Sequence, residues 1–374
     1  MKIAFVLDDT LDSTDGVQQY VITLGEWLSS KGHIVHYLVG QSRRTDIDNV
    51  HSLAKNIPIR FNRNKLSIPL FSSLRSIKSV LEEQNFDIAH VQLPYSPMFA
   101  SRVIKCLGSN TAVIGTFHIL PYSRREKYGT KALALLVSKS NKRFDSLISV
   151  SEPARKFSKS TFNIDSKVIP NPVYFKNKHK KSNRYDSNHI VYLGRLVKRK
   201  GVIYLIHAYK QLIDTIDQDV KLTICGDGPM KNDVIKLISE LGITDRVKLT
   251  GFVSEEEKYR YLNMATVAVF PSIGGESFGI VLTEAMAANA GAVVGGDNPG
   301  YRSVLENDDV LFNPKNYHQF SQCLAKFITN PDKLQSVHLR QQKQVKKFDV
   351  NIVGNEVLTV YKEAIANRNK SKHN

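Results

Sequence analysis

Short, continuous apolar runs recur along the chain, and between them the apolar positions fall at helical spacing. "KIAFVL" (2–7), "HIVHYLVG" (33–40), "FDIAHVQ" (86–92), "TAVIGTFH" (111–118) and "DSLISVS" (145–151) are short, predominantly apolar runs rather than alternating ones. Such strands are buried on both faces, the habit of a parallel sheet covered by helices. "GVQQYVITLGEWLSSKG" (16–32) puts Val17, Val21, Leu24 and Leu28 on one helical face. The alternation predicts βαβ units. It breaks at "IPNPVYFKNKHKKSNRYDSN" (169–188), rich in Pro, Asn and Lys, which reads as a linker. It resumes with "HIVYLGRL", "VKLTICG", "RVKLTGF", "TVAVFPS" and "AGAVVGG". The pattern predicts an α/β protein with two parallel-sheet domains in tandem, 1–172 and 186–354, joined by 173–185. A final helix over 355–374 turns Val357, Val360, Tyr361 and Ala364 to one side and needs a surface to bury them. In 60–83 the spacing of Leu70, Leu74, Ile77 and Leu81 predicts a helical face, with Arg60, Arg63, Lys65, Arg75 and Lys78 before or beside it. That segment is either a packing helix or a docking face for anionic lipid.

Length and composition agree with this division. The chain has 374 residues, 42% of them hydrophobic, enough for two or three cores. Cys106, Cys225 and Cys323 show no metal or disulfide spacing and suit a reducing compartment. No apolar run approaches the ~18 residues of a membrane span. "MKIAFVLDD" reads as a first strand, not a signal peptide, so a cytoplasmic protein is expected. The net charge of +17 is spread along the chain, +9 over residues 1–170 and +8 over the rest. With no helix-turn-helix, zinc-finger or RNP signature, nucleic acid is not an expected partner. A phosphorylated ligand, an anionic membrane surface or simple solubility remain.

Candidate chemistry gathers at strand-to-helix turns. Gly16 opens the first helix, where backbone amides favour an anion. Arg195 and Lys200, in "LGRLVKRKG", follow the second domain's first strand, at the edge where doubly wound sheets bind ligands. Two cations there can neutralise a pyrophosphate; the plainer reading is a solvated basic turn. Gly226 and Gly228 in "CGDGPM" allow close approach at the same edge. "GGESFGIVLTEAM" (274–286) carries Glu276 and Glu284, with "IGGE" read as a turn and "SFGIVLTEAMAA" as a helix. If both glutamates were helical, eight residues would separate them by ~12 Å. A glycosidase pair needs ~5–9.5 Å, so direct hydrolysis is disfavoured. No His or Asp joins them at metal-ligand spacing. The geometry suits one extended ligand held at two points. His118 ends a first-domain strand at the corresponding edge.

Taken together, "DGVQQYV", "GTFH", "VSEPARK", "IPNPV", "YLGRLVKRKG", "ICGDGP", "LTGFVSEEE" and "GGESFGIVLTEAMAA" resemble the GT-B retaining glycosyltransferases of family 4 over nearly the whole chain. Within that family the chain looks most like the phosphatidylinositol mannosyltransferases that use GDP-mannose, in "GGESFGIVLTEAMAA" and "GVQ" especially. The resemblance implies two Rossmann-like domains facing a cleft, with the C-terminal helix crossing back to the first. It implies that Gly16 backs the donor diphosphate, that Arg195 and Lys200 bind it, and that Glu276 holds sugar hydroxyls. Ser277, Phe278, Gly279 and Ile280 would supply contacts at the helix start, Glu284 would hold the ribose, and Val253 and Lys258 would lie at the base. His118 would approach the donor sugar and Gln18 the acceptor. The implied reaction is front-side transfer with retention. It needs no tightly bound cofactor and no metal site; Mg²⁺ is admissible but not required. The implied partners are a nucleotide-sugar, a lipid acceptor and an anionic membrane surface, which places the enzyme peripherally on the inner face of the cell membrane. The chain departs from the family in having Asp15-Gly16 for Gly-Gly, an acidic first loop (Asp8, Asp9, Asp12, Asp15) and Asn289 for a glycine. A UDP-sugar donor with another lipid or glycan acceptor, a sugar-nucleotide epimerase or hydrolase, and a non-catalytic sugar-binding module are the competing readings.

Overall fold

The computed structural model describes residues 1–13, 15–61, 64–93, 98–118, 120–121, 142–175 and 188–370. It divides into two compact units, Met1–Pro172 with Val350–Asn374, and Val173–Asp349. From 176 onward the expected linker lies outside the described residues.

The first unit is built from β1 (Lys2–Leu7), α1 (Gly16–Ser30), β2 (Ile34–Val39), β3 (Val50–Ser52), β4 (Ala54–Phe61), β5 (Asn64–Ser72), α2 (Leu74–Gln84), β6 (Ile88–Gln92), α3 (Phe99–Cys106), β7 (Ala112–Phe117), β8 (Ser146–Ser149), α4 (Glu152–Phe162) and β9 (Lys167–Val168). Seven strands form one sheet in the order β3-β2-β1-β6-β7-β8-β9, and every pairing is parallel. The predominantly apolar strands β1, β6 and β7 are buried along almost their whole length, as two-sided burial requires.

Residues 54–72 depart from the sequence reading. In place of one helical stretch over 60–83, β4 and β5 pair as an antiparallel hairpin, and helix begins only at Leu74. Leu70 therefore belongs to a strand. Pro58 and Pro69 account for this, because a helix-interior proline loses a donor and clashes with the preceding turn. Ser73 caps α2 by accepting from the Ser76 amide at 3.3 Å. Ile77 and Leu81 are buried as expected, whereas Leu74 is 53% exposed.

The last helix, labelled α12, runs from Val350 to Lys370 and completes the first unit. It buries the expected Val357, Val360, Tyr361 and Ala364. It also starts earlier than read, because Val350, Val353 and Gly354 extend the same buried stripe. Trp27 of α1 donates from Nε1 to Asn351 Oδ1 at 2.9 Å, and Tyr361 Oη lies 2.7 Å from His90 Nδ1.

The second unit repeats the plan with β10 (Asn188–Leu193), α5 (Val202–Ile213), β11 (Val220–Cys225), α6 (Lys231–Glu240), β12 (Val247–Gly251), α7 (Glu255–Met264), β13 (Val267–Phe270), α8 (Ile280–Ala287), β14 (Ala292–Gly296), α9 (Pro299–Leu305), β15 (Leu311–Phe312), α10 (Tyr317–Ile328) and α11 (Pro331–Gln344). Its parallel sheet has the order β12-β11-β10-β13-β14-β15. In both sheets the first strand sits inside, and the chain reverses direction of growth beside it, between β1 and β6 and between β10 and β13. Such switch points leave a crevice at the carboxyl ends of the strands. No helix among the described residues is long and apolar enough to cross a membrane.

Candidate functional site

The switch point of the second sheet brings two loops together. β10 and β13 are register neighbours, with Tyr192 opposite Val269. The segments leaving them, 194–201 and 271–279, therefore rise side by side. The Ile273 amide donates to the Arg199 carbonyl at 2.9 Å. Behind the first loop, the 226–228 turn packs tightly: a Cβ on Gly226, whose φ is +143°, would stand 2.0 Å from the Gly194 carbonyl oxygen. That glycine admits the neighbouring backbone rather than a ligand.

Glu276 stands where the loops meet. Its Oε1 accepts from Arg199 Nη1 at 2.6 Å, from Lys200 Nζ at 2.9 Å and from Ser272 Oγ at 2.8 Å. The side chain is only 11% exposed. Burial pushes its pKa up, but the Lys200 and Arg199 charges, with hydrogen bonds from Lys200 and Ser272, outweigh burial and hold it below the usual carboxylate value. Among the described residues Oε2 has no partner. Asn298 braces the loop, its Nδ2 donating to the Ser272 and Gly296 carbonyls at 3.2 and 3.0 Å while its Oδ1 accepts from the Tyr301 amide.

This arrangement corrects the sequence reading in two ways. Helix α8 begins at Ile280, not Ser277; Glu276 lies in the loop, in keeping with the turn reading of "IGGE", and the helical spacing to Glu284 does not apply. The cause is Gly279, whose φ of +115° ends the loop in a left-handed turn beneath Tyr301. Lys200 meets Glu276 directly, so the expected cation site and the expected sugar site form one cluster. Arg199, Ser272 and Asn298 were not singled out from the sequence. Arg199 lies 77 residues from Glu276, and only its place in the "KRK" run pointed to it. Arg195 is half-buried on the strap after β10, and its carbonyl accepts from Tyr192 Oη at 3.1 Å. The ion-pair partners of Glu276 are Arg199 and Lys200, not Arg195.

A second ionic pair lies along α8. Lys258 Nζ donates to Glu284 Oε1 at 2.7 Å and reaches Glu255 at 2.8 Å. Burial pushes the Lys258 ammonium down, and the Glu284 and Glu255 charges reverse that, leaving it above the usual lysine value. Val253 is half-buried in the turn before α7, which Ser254 and Glu257 close as a capping box. Ser277 and Ile280 are also half-buried. Phe278 packs edge-on against Phe348 and is 3% exposed, so only its backbone faces the loop.

At the carboxyl end of β7 the first sheet carries neutral groups. His118, just after β7, is buried with Nε2 2.7 Å from Gln92 Oε1 and its ring edge-on to Tyr20. His90 uses both nitrogens, toward Tyr361 Oη and, at 2.6 Å, Thr116 Oγ1. Burial pushes both imidazoles down to about 3, so both are neutral at physiological pH. Gly16 is exposed at the start of α1. Gln18 is buried and donates to the Thr10 carbonyl at 3.0 Å, which fixes the first loop. The acidic loop serves internal bonds: Asp8 accepts from the Ala100 amide at 2.6 Å, and Asp12 from Ser42 Oγ and the Arg43 amide. No group of three or more His, Cys, Asp or Glu among the described residues is placed to hold a metal ion.

A family model described as Glycosyl transferases group 1 matches residues 175–370, and one described as Glycosyltransferase Family 4 matches residues 14–175. The chain is 27% identical to a phosphatidyl-myo-inositol mannosyltransferase of Mycobacterium leprae, covering 99% of each chain. It is 28% identical to a protein of the same description from Mycolicibacterium smegmatis, over 96% of this chain and 93% of that one. Among solved structures it is similar to sucrose-phosphate synthase from Thermosynechococcus elongatus, with TM-score 0.76, 18% identity, and 98% and 99% of the two chains covered.

Proposed function

The chain belongs to the group 1 and family 4 glycosyltransferases and is a hexosyltransferase, and on that premise we propose that it moves a mannosyl group from GDP-mannose to a phosphatidylinositol-type lipid at a membrane surface. The observation that carries the reading is Glu276, held ionised against Arg199 and Lys200 at the switch point, with one oxygen engaged and the other without a described partner.

Oε2 of Glu276 accepts from sugar hydroxyls, while Lys200, Arg199 and Arg195 present positive charge to the diphosphate. Glu284, oriented by Lys258, accepts from ribose hydroxyls in the same manner. The bond from the anomeric carbon to the diphosphate oxygen breaks, and the acceptor oxygen bonds to that carbon on the same face. The acceptor proton passes to a phosphate oxygen of the departing nucleoside diphosphate. The cations stabilise the charge that develops on that leaving group. His118 is neutral at pH 7 and far from its own titration range, so its part is hydrogen bonding and shape, not proton removal.

The lipid acceptor has support in the first unit. Phe71, 65% exposed, and Leu74, 53% exposed, lie at the β5–α2 junction beside Arg75 and Lys78. Apolar insertion with ~1 kcal/mol per basic residue suits peripheral docking on anionic lipid.

A donor-by-acceptor screen tests the proposal. Labelled lipid should form from GDP-mannose with phosphatidylinositol vesicles, and not with UDP-glucose or phosphatidylcholine vesicles. Turnover of UDP-glucose alone would replace the donor. Transfer to a soluble glycan with no vesicle binding at low salt would replace the acceptor. Stoichiometric free sugar or epimer without acceptor would replace the reaction class.

A further inference from the structure

The opposite end of the second sheet carries a feature that donor chemistry does not use. Parallel register sets His189 beside Lys221 and Thr223 beside Lys248. Residues two apart share a face, so these four side chains form a polar row across β10, β11 and β12. Covered parallel sheets are normally apolar on both faces. Here α7 leaves part of the face open, and a recess of about 310 Å³ remains, bordered by Tyr261 and by Met264, which is 43% exposed. That volume lies at the lower end of the ~300–1,000 Å³ of small-ligand sites.

Positive side chains outnumber negative ones on the lining of the recess. Among the described residues Lys221 and Lys248 form no ion pair. Lys248 Nζ instead lies 5.5 Å from the Tyr261 ring centroid, and Arg260 stands 5.3 Å from the same ring. Arg246, also on the lining, is already paired with Asp219 at 3.0 Å. Asp245 is the one carboxylate among the lining residues, and it is exposed. His189 is held to Thr223 Oγ1 at 2.8 Å. Burial, followed by the Lys221 and Lys248 charges, lowers its pKa, an internal sign of net positive potential.

We propose that this recess binds a small diphosphate-bearing anion, held by Lys221 and Lys248 beside His189 and Tyr261, at the end of the sheet away from the Glu276 cluster. The shared chemistry is a diphosphate, free as inorganic pyrophosphate or carried by a nucleotide. It is independent of the donor and acceptor assigned above.

The His189 ring provides a local readout. Inorganic pyrophosphate, added at low salt to the whole protein with labelled histidine, should move the His189 resonances and raise its titration midpoint. A Lys221→Gln/Lys248→Gln variant should bind roughly ten-fold more weakly by that signal. Transfer by this variant should stay within about two-fold of the parent. A parallel titration with GDP distinguishes the sources: a matching His189 response assigns a nucleotide, and a response to pyrophosphate alone assigns the inorganic ion. An unmoved His189, or the same response in the double variant, would overturn the site. Both lysines are exposed, and Lys221→Gln and Lys248→Gln measured singly guard against a folding artefact.

Discussion

At the carboxyl end of β7 stands His118, buried and neutral; beyond the carboxyl end of β13 stands Glu276, half-buried and charged. The two sheets share the order of their first six strands, the first sheet adding one edge strand; Glu276 follows the switch-point strand β13, and His118 follows β7, one strand out from the β1/β6 switch point. Around His118 the first unit sets His90, Thr116, Tyr361 and Gln92, neutral groups joined by hydrogen bonds, and its carboxylates Asp8 and Asp9 follow β1 instead. Beyond β13 the second unit sets a carboxylate and two cations. Topology marks the ligand edge in both, but side-chain identity decides what is bound there. An ionic edge recognises a ligand with anionic and hydroxylated parts. A neutral buried edge positions groups without competing for charge.

The largest effect should come from removing the charge that sets the second unit apart. Glu276→Gln strands Arg199 and Lys200 in a largely buried site and removes the acceptor for the sugar. Turnover should fall on the order of 100-fold, as for losing a charge-assisted contact of ~1.5–3 kcal/mol, with a smaller change in donor affinity. Steady-state kinetics checks this, and near-parent turnover would remove Glu276 from the sugar. Lys200→Ala and Arg195→Ala should follow, weakening donor binding by roughly 10- to 100-fold through the diphosphate. EDTA should change the rate little, since cationic side chains meet the leaving group. Complete loss restored by Mg²⁺ would turn attention to the acidic first loop. Glu284→Gln should have a more modest effect, about 10-fold on affinity for the nucleoside diphosphate with turnover largely kept. Calorimetry with free GDP reads that affinity, and unchanged binding would dissociate Glu284 from the ribose.

A separate effect is one of stability, and it separates the units by pH. His90 and His118 titrate near 3 when folded and near ~6.5 when unfolded. Between those values the unfolded chain binds the extra proton, so stability is intact above about pH 6.5 and falls as pH drops toward 3. Each histidine contributes a slope of about 1.4 kcal/mol per pH unit in that window. Glu276, with its pKa lowered, keeps its contribution above the usual carboxylate range and loses it only in stronger acid. Urea unfolding between pH 5 and 6.5 should therefore show a shallower slope in His118→Gln and an unaltered slope in Glu276→Gln.

The strands were legible because β-branched, unbroken runs such as "KIAFVL" and "TVAVF" report two-sided burial directly. The final helix was legible from Val357, Val360, Tyr361 and Ala364. The hairpin at 54–72 was not, because Leu70, Leu74, Ile77 and Leu81 happen to match helical spacing and outweighed the contrary sign of Pro69. At the site, the sequence marked Glu276, Glu284, Lys200 and Lys258, but not which would touch which. Arg199 reaches Glu276 through the adjacency of β10 and β13, and no local pattern encodes a partner 77 residues away; Ser272 reaches it by the fold of their shared loop, four residues apart. Asn289 was legible only as a departure. Its φ of +67° is left-handed, a conformation Asn tolerates better than other non-glycine residues, so the exchange for glycine is physically mild.

The return of α12 to the first unit has a consequence for how the protein is made. Trp27 and Asn351 are joined by a hydrogen bond across 324 residues, so the ribosome must travel almost the whole chain before the pair can form. At ~5–20 residues per second, that delay is roughly 16 to 65 seconds. During that interval the nascent first unit has its sheet but lacks the helix that covers Trp27 and His90, while the second unit can already fold. The unit synthesised first is thus completed last. A fusion or truncation at the carboxyl end would act on the amino-terminal core.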